Sequence, residues 1–153
     1  MRVENNQMEI TDIKYYICID RIENNDMAGR IYHCFRKEQL CFDSLLELVF
    51  QLENEMNGMG YPQETTANRY FQGKGSKLQK IIQKEWQNAM KESEIRAHKG
   101  GKATFVIEVT HRENATWQGN VCWVEGNQKL NFRSALELIR LMDSINSIMA
   151  NKM

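Results

Sequence analysis

A stretch of this chain near Ile13–Met56 recurs, without a gap, ninety positions later near Ala103–Asn146. At that fixed offset Ile17, Glu23, Asn24 and Gly29 meet Ile107, Glu113, Asn114 and Gly119. Leu40, Phe42, Ser44, Leu46, Glu47 and Leu48 meet Leu130, Phe132, Ser134, Leu136, Glu137 and Leu138. Conservative pairs fill the intervals: Tyr15 with Phe105, Ile19 with Val109, Ile31 with Val121, Val49 with Ile139. An internal repeat of this kind fixes the architecture before any single element is read, because each copy must fold the same way and bury its apolar side against something.

Each copy reads as β-β-α. Ile13, Tyr15, Ile17 and Ile19 alternate with Lys14, Tyr16, Cys18 and Asp20, the period of a half-buried strand, and Ala103, Phe105, Ile107 and Val109 repeat the pattern. Polar loops follow, Glu23–Ala28 and Glu113–Gln118, closed by Gly29 and Gly119, where a special backbone angle or a close approach is expected. A second strand is expected through Ile31–Phe35 and Val121–Glu125, hairpin-paired with the first. Ser44-x-x-Glu47 and Ser134-x-x-Glu137 read as capping boxes. Behind them, Leu45, Leu48, Val49, Leu52 and Met56 make one helical stripe. Leu138, Ile139, Leu141, Met142, Ile145, Ile148 and Met149 make a wider one, pointing to a central helix or to a dimer seam.

Between the copies, residues 57–102 read as a helical insertion. Asn57-Gly58 and Gly60 stop the first helix, and Pro62 fixes a turn. Ser76 caps a third helix, whose stripe is Leu78, Ile81, Ile82, Trp86, Ala89 and Met90 and whose outer face carries Lys74, Lys77, Lys80 and Lys84. The expected fold is α+β: a single two-layer domain over 1–153, with a four-stranded antiparallel sheet and helices on one face. Two separate β-β-α subdomains would each be too small to bury a stable core.

Charge is balanced overall but not locally. Met1–Glu64 carries six Lys/Arg against twelve Asp/Glu, and Thr65–Lys102 nine against three. A basic middle folded against an acidic first copy, or facing water, is the plainer reading; a polyanion patch is the sharper one. Nucleic acid is disfavoured, since binding it calls for a positive domain with interleaved aromatics. The polar, acidic start Met1–Glu9 is unlike a leader peptide, and no apolar run is long enough to span a bilayer, so a cytoplasmic protein without a membrane partner is expected. Cys18, Cys34, Cys41 and Cys122 have no zinc-ligand spacing and read as free apolar fillers, so neither a metal nor a cofactor is expected.

Candidate binding residues concentrate in the second copy: Asn114, Thr116, Trp117 and Gln118 in the loop, with Trp123 on the following strand. Loops tolerate change and tend to carry function, and Trp117-Gln118 offers a flat aromatic and an amide where the first copy has Met27-Ala28. The competing role for Trp117 is a core plug at the hairpin end. Asn114-Ala115-Thr116-Trp117-Gln118-Gly119 resembles the Asn-x-Ser/Thr-x-x-Gly half of the PilZ cyclic-dinucleotide motif, whose Arg-x-x-x-Arg half is missing. No catalytic residue is indicated. The leading expectation is a non-catalytic binding or assembly module, with possible self-association as a homodimer. The alternative is a small-molecule or nucleotide sensor using loops 23–29 and 113–119. A thiol enzyme, with a pair such as Cys122 and His33, ranks third.

The segments Gly60-Tyr61-Pro62-Gln63, Trp117-Gln118-Gly119-Asn120-Val121-Cys122-Trp123 and Phe132-Arg133-Ser134-Ala135-Leu136-Glu137-Leu138 resemble a family of short bacterial proteins. That family carries Tyr-Pro-Gln after the first helix and Trp-Gln-Gly-x-Val-x-Trp in the second copy. The resemblance covers nearly the whole chain. It implies no catalytic residue and no ligand, because the family has no established activity.

Overall fold

A computed structural model describes residues 13–66, 69, 71 and 90–150. The expected third helix, with its stripe from Leu78 to Ala89 and its four lysines, lies outside the described residues, as does the acidic start. The described elements are β1 (Lys14–Glu23), β2 (Asp26–Tyr32), β3 (Leu40–Phe42), α1 (Leu45–Met59), α2 (Glu92–Arg96), β4 (Ala103–His111), β5 (Gln118–Trp123), β6 (Gln128–Phe132), α3 (Ala135–Asp143) and α4 (Ile145–Ala150).

The sheet has six strands, in the order β3-β2-β1-β4-β5-β6, not the expected four. Each half of it is built as β-β-β-α, so the β-β-α reading is overturned by β3 and β6. These strands run straight into the helix caps. They pair Gly29 with Phe42 and Gly119 with Phe132.

Within the six strands the ninety-position offset carries through the register. Ile17 faces Ile31 and Ile107 faces Val121; Ile19 faces Gly29 and Val109 faces Gly119. A register shift follows at Ile19/Arg21 and again at Val109/His111. The antiparallel β1–β4 seam joins the halves about the pair Tyr16 and Val106, which are themselves ninety apart. Gly29 and Gly119 are required by close approach rather than by backbone angle. A Cβ at either would collide with the carbonyl of Cys18 or Glu108 on the neighbouring strand.

Both helix starts are capped from two sides. Ser44 and Ser134 accept from the N–H of Glu47 and Glu137, each at 3.0 Å. The glutamates reach back one residue beyond the expected box, to the N–H of Asp43 (3.3 Å) and Arg133 (2.9 Å). A further free helix N–H in each half is taken by the hairpin turn: Asp26 accepts from Leu45 and Thr116 from Ala135. The helix α1 runs through Gly58 and ends at Gly60, whose left-handed φ of 69° lets its N–H return to the Met56 carbonyl. It buries Leu45, Leu48, Leu52, Met56 and Met59 against the sheet. The helix α3 buries Leu138 and Met142.

Helices do not cover one face alone. While α1, α3 and α4 pack on the face that carries Tyr15, Ile17 and Ile19, Ile95 of α2 packs on the other, against Tyr16, Cys18 and Tyr32. This is why Tyr16 and Cys18, expected to face outward, are buried. No helix among the described residues is long and apolar enough to cross a membrane.

Candidate functional site

The five residues singled out by sequence do not form one surface. Asn114 is exposed at the turn, with a left-handed φ of 57° matched by 54° at Asn24. Thr116 is spent on capping α3. Trp117 is 3% exposed and belongs to the core, as does Met27 ninety positions before it. Gln118 closes its own loop, accepting from the Glu113 N–H and donating to the Glu113 carbonyl, both at 3.0 Å. Trp123 lies at the far end of β5, on the helix side, beside Leu141 and Ile145. The expected loops 23–29 and 113–119 are largely strand: β1 runs to Glu23 and β2 starts at Asp26, leaving Asn24-Asn25 as the turn, and β5 starts at Gln118. The two turns follow antiparallel strands and so lie at opposite ends of the sheet. The first of them borders a cleft of about 350 Å³ with Arg21 and Asp43. Its Asp26 is already engaged by the backbone of Met27 and Leu45. His33 and Cys122 do not pair: His33 faces α1, Cys122 faces away from it, and β1 and β4 intervene.

Sequence reasoning missed a buried polar cluster between α1 and the start of β1. The Phe35 N–H donates to His33 Nδ1 (3.3 Å), which leaves Nε2 to donate to Glu55 (2.8 Å). Arg36 clamps the same carboxylate through two nitrogens, at 2.6 and 3.1 Å. Burial pushes the Glu55 carboxyl up, but the hydrogen bonds from His33 and Arg36 and the Arg36 charge outweigh it and bring the pKa down to about 2. Tyr15 stacks edge-on against His33, its hydroxyl buried without a partner, and burial raises its pKa far above that of a free phenol.

Beside this cluster Arg112 is 3% exposed. It donates to the Pro62 carbonyl (2.7 Å), Asn57 (2.7 Å) and Glu64 (2.9 Å), fastening the chain after α1 to the end of β4. Burial, followed by the neighbouring Glu64 carboxylate, raises the pKa of Glu53, which also accepts from the Trp117 indole. Every group here except the Tyr15 hydroxyl is engaged by protein. The arrangement braces α1.

The other face of the sheet divides into two seats. Over the first half lies a strap formed by residues 90–102. Glu92 accepts from the Tyr16 hydroxyl (2.9 Å), Ile95 fills the space over Cys18, and His98 stacks on Tyr32 at 4.2 Å. Arg30, paired with Asp20 at 2.8 Å, donates to the Lys99 carbonyl, and Asp20 accepts from the Gly101 N–H. Over the second half, the counterparts of Tyr16, Cys18, Arg30, Tyr32, Cys34 and Gln39 are Val106, Glu108, Asn120, Cys122, Val124 and Lys129. Those six, with Lys14, Tyr16, Arg96, Lys99 and Thr104, line an open groove of about 340 Å³. Its floor is apolar. Its rim carries four cations against Glu108, which accepts from Asn120 (3.0 Å). Arg96 is paired with Glu92 at 2.8 Å, while Lys14, Lys99 and Lys129 make no ion pair among the described residues.

Comparison of the chain with protein-family models, with curated proteins and with solved structures finds no match to any of them.

Proposed function

We propose that this protein is a non-catalytic binding module whose ligand surface is the groove over β4–β6. One observation carries the reading. Two seats in matching register lie on one sheet face, and the chain fills one with its own strap while no described residue packs over the other. Concave surfaces with an apolar floor and a few placed polar groups are where ligands bind. The sensor alternative shifts accordingly from the two turns to this groove.

The test is a thermal-shift screen with peptides, nucleotides and metabolites on the whole protein and on Cys122→Trp, which fills the groove. A saturable stabilisation that the tryptophan abolishes supports the reading. A stabilisation that survives it refutes the groove as the site.

A second reading, self-association, has its own support in Leu46 and Phe50 on α1 and Leu136 on α3, which are 66%, 57% and 61% exposed. Large apolar side chains exposed on helices mark contact surfaces when they cluster.

A further inference from the structure

Given that the groove over β4–β6 is a binding surface, we infer that its occupant is a short amphipathic peptide segment of a partner protein, with an apolar residue at its centre and acidic residues on either side. The strap shows what such a seat accepts. In the first half the seat holds one helical turn, Glu92–Arg96, with Ile95 pressed onto the strand side chains and an extended stretch following along Asp20 and Arg30. The second seat has the same strand spacing, because β1–β2 and β4–β5 share their register.

The differences between the seats define the chemistry. Tyr16, Tyr32 and Cys34 give way to Val106, Cys122 and Val124, so the floor loses both phenol hydroxyls. An apolar side chain suits that floor, whereas a sugar or a base would leave its polar edges unanswered. The one aromatic in the lining, Tyr16, is buried with its hydroxyl committed to Glu92, so no ring is free for a base to stack on. At the rim Lys14, Lys99 and Lys129 surround the floor, and Glu108 is turned to Asn120. Carboxylates on either side of an apolar anchor complement that rim. Rim charges of this sort select the partner and speed its encounter.

The experiment uses the whole chain as bait for a library of random linear peptides, followed by synthesis of the enriched sequences. Affinities are read by fluorescence anisotropy. The footprint is read by alkylation of Cys122 in the groove, with exposed Cys41 on β3 as the internal reference. The expected consensus is an apolar residue flanked by Asp or Glu, in peptides that protect Cys122 and leave Cys41 reactive. The double variant Lys99→Glu, Lys129→Glu should weaken these peptides about tenfold, two rim pairs acting together. Its circular dichroism should be unchanged, since both side chains are exposed.

A neutral or basic consensus that still protects Cys122 overturns the acidic occupant and leaves the groove standing. Enriched peptides that leave Cys122 unprotected overturn the groove itself. Protection of Cys122 by tripolyphosphate at concentrations where the peptides fail to protect it, or no enrichment at all, overturns the peptide inference.

Discussion

The helix-facing interiors of the two halves occupy matching positions and have opposite chemistry. Tyr15, His33, Arg36 and Glu55 in the first half stand where the second has Phe105, Trp123, Gly126 and Ile145. In the first set His33, Arg36 and Glu55 form a hydrogen-bonded network that ties α1 to the chain after β2, with Tyr15 packed edge-on against His33. The second is an apolar contact between β5, α3 and α4, in which the Trp123 indole N–H is buried without a partner. Strand register, the close-approach glycines and the helix caps are the same in both. What this teaches is that a few positions set the backbone here, while the polarity of the packing between sheet and helix is free to differ.

The largest effect should come where the halves agree in burial and differ in size. Trp117→Ala is expected to cost about 3–5 kcal/mol and Met27→Ala about 2–5, since both side chains are buried in one continuous core. Urea unfolding measures both. A loss of under 1 kcal/mol for Trp117→Ala would mean that the indole lies at the surface, and the comparison would break at its best-packed point.

Next comes the polar network. Glu55 titrates near 2 in the folded protein, against an ordinary value of 4.5. Because the folded value is the lower one, its stabilisation is fully present above about pH 4.5 and is lost as pH falls from there towards 2. The shift corresponds to something on the order of 3 kcal/mol. Glu55→Gln should therefore lower stability at neutral pH and flatten the acid limb of the stability curve. Its counterpart Ile145 has nothing to titrate, so Ile145→Val should shift that curve without reshaping it. An unchanged acid limb in Glu55→Gln would show that the network does not hold the fold.

The caps should behave alike. Ser44→Ala and Ser134→Ala are each expected to cost about 1 kcal/mol, because each serine satisfies one free helix N–H in the same geometry. A clear inequality between them would show that Asp26 and Thr116, which cap the N–H two residues earlier at Leu45 and Ala135, compensate unequally.

These sites also show what could be read from sequence. The correspondence of positions was legible because Ile17, Gly29, Phe42 and Ser44 return unchanged at Ile107, Gly119, Phe132 and Ser134, but β2 and β5 begin at Asp26 and Gln118, where loops were expected. The two edge strands were not, although Leu40/Phe42 and Leu130/Phe132 already show the two-residue period. Three to five residues abutting a helix cap leave too little alternation to separate a strand from a loop. The polar cluster was hidden for a different reason. Its partners meet only in the fold, with His33 and Glu55 separated by 22 positions and Arg112 and Asn57 by 55. The groove was hidden twice over, since α2 is five residues long and its seat is recognisable only beside the matching seat it leaves open.

The smallest effect on stability should come from the outward sides of the helices. Leu46 and Leu136 correspond at the ninety offset, and both are exposed. Phe50 extends the first patch one turn further, whereas the corresponding residue in the second half is Arg140. Leu46→Ser and Leu136→Ser should each change the unfolding free energy by at most about 0.5 kcal/mol, as for other surface positions. Self-association is where they should act, and unequally. A contact centred on α1 would bury Leu46 and Phe50 together, while Arg140 would oppose burial of Leu136 in a like-for-like contact on α3. Light scattering at micromolar concentration is expected to return twice the chain mass of 18.0 kDa for the parent and for Leu136→Ser. The single mass is expected for Leu46→Ser combined with Phe50→Ser. If the parent itself returns 18.0 kDa, these side chains are merely exposed, and the Phe50 and Arg140 difference between the helices has no bearing on assembly.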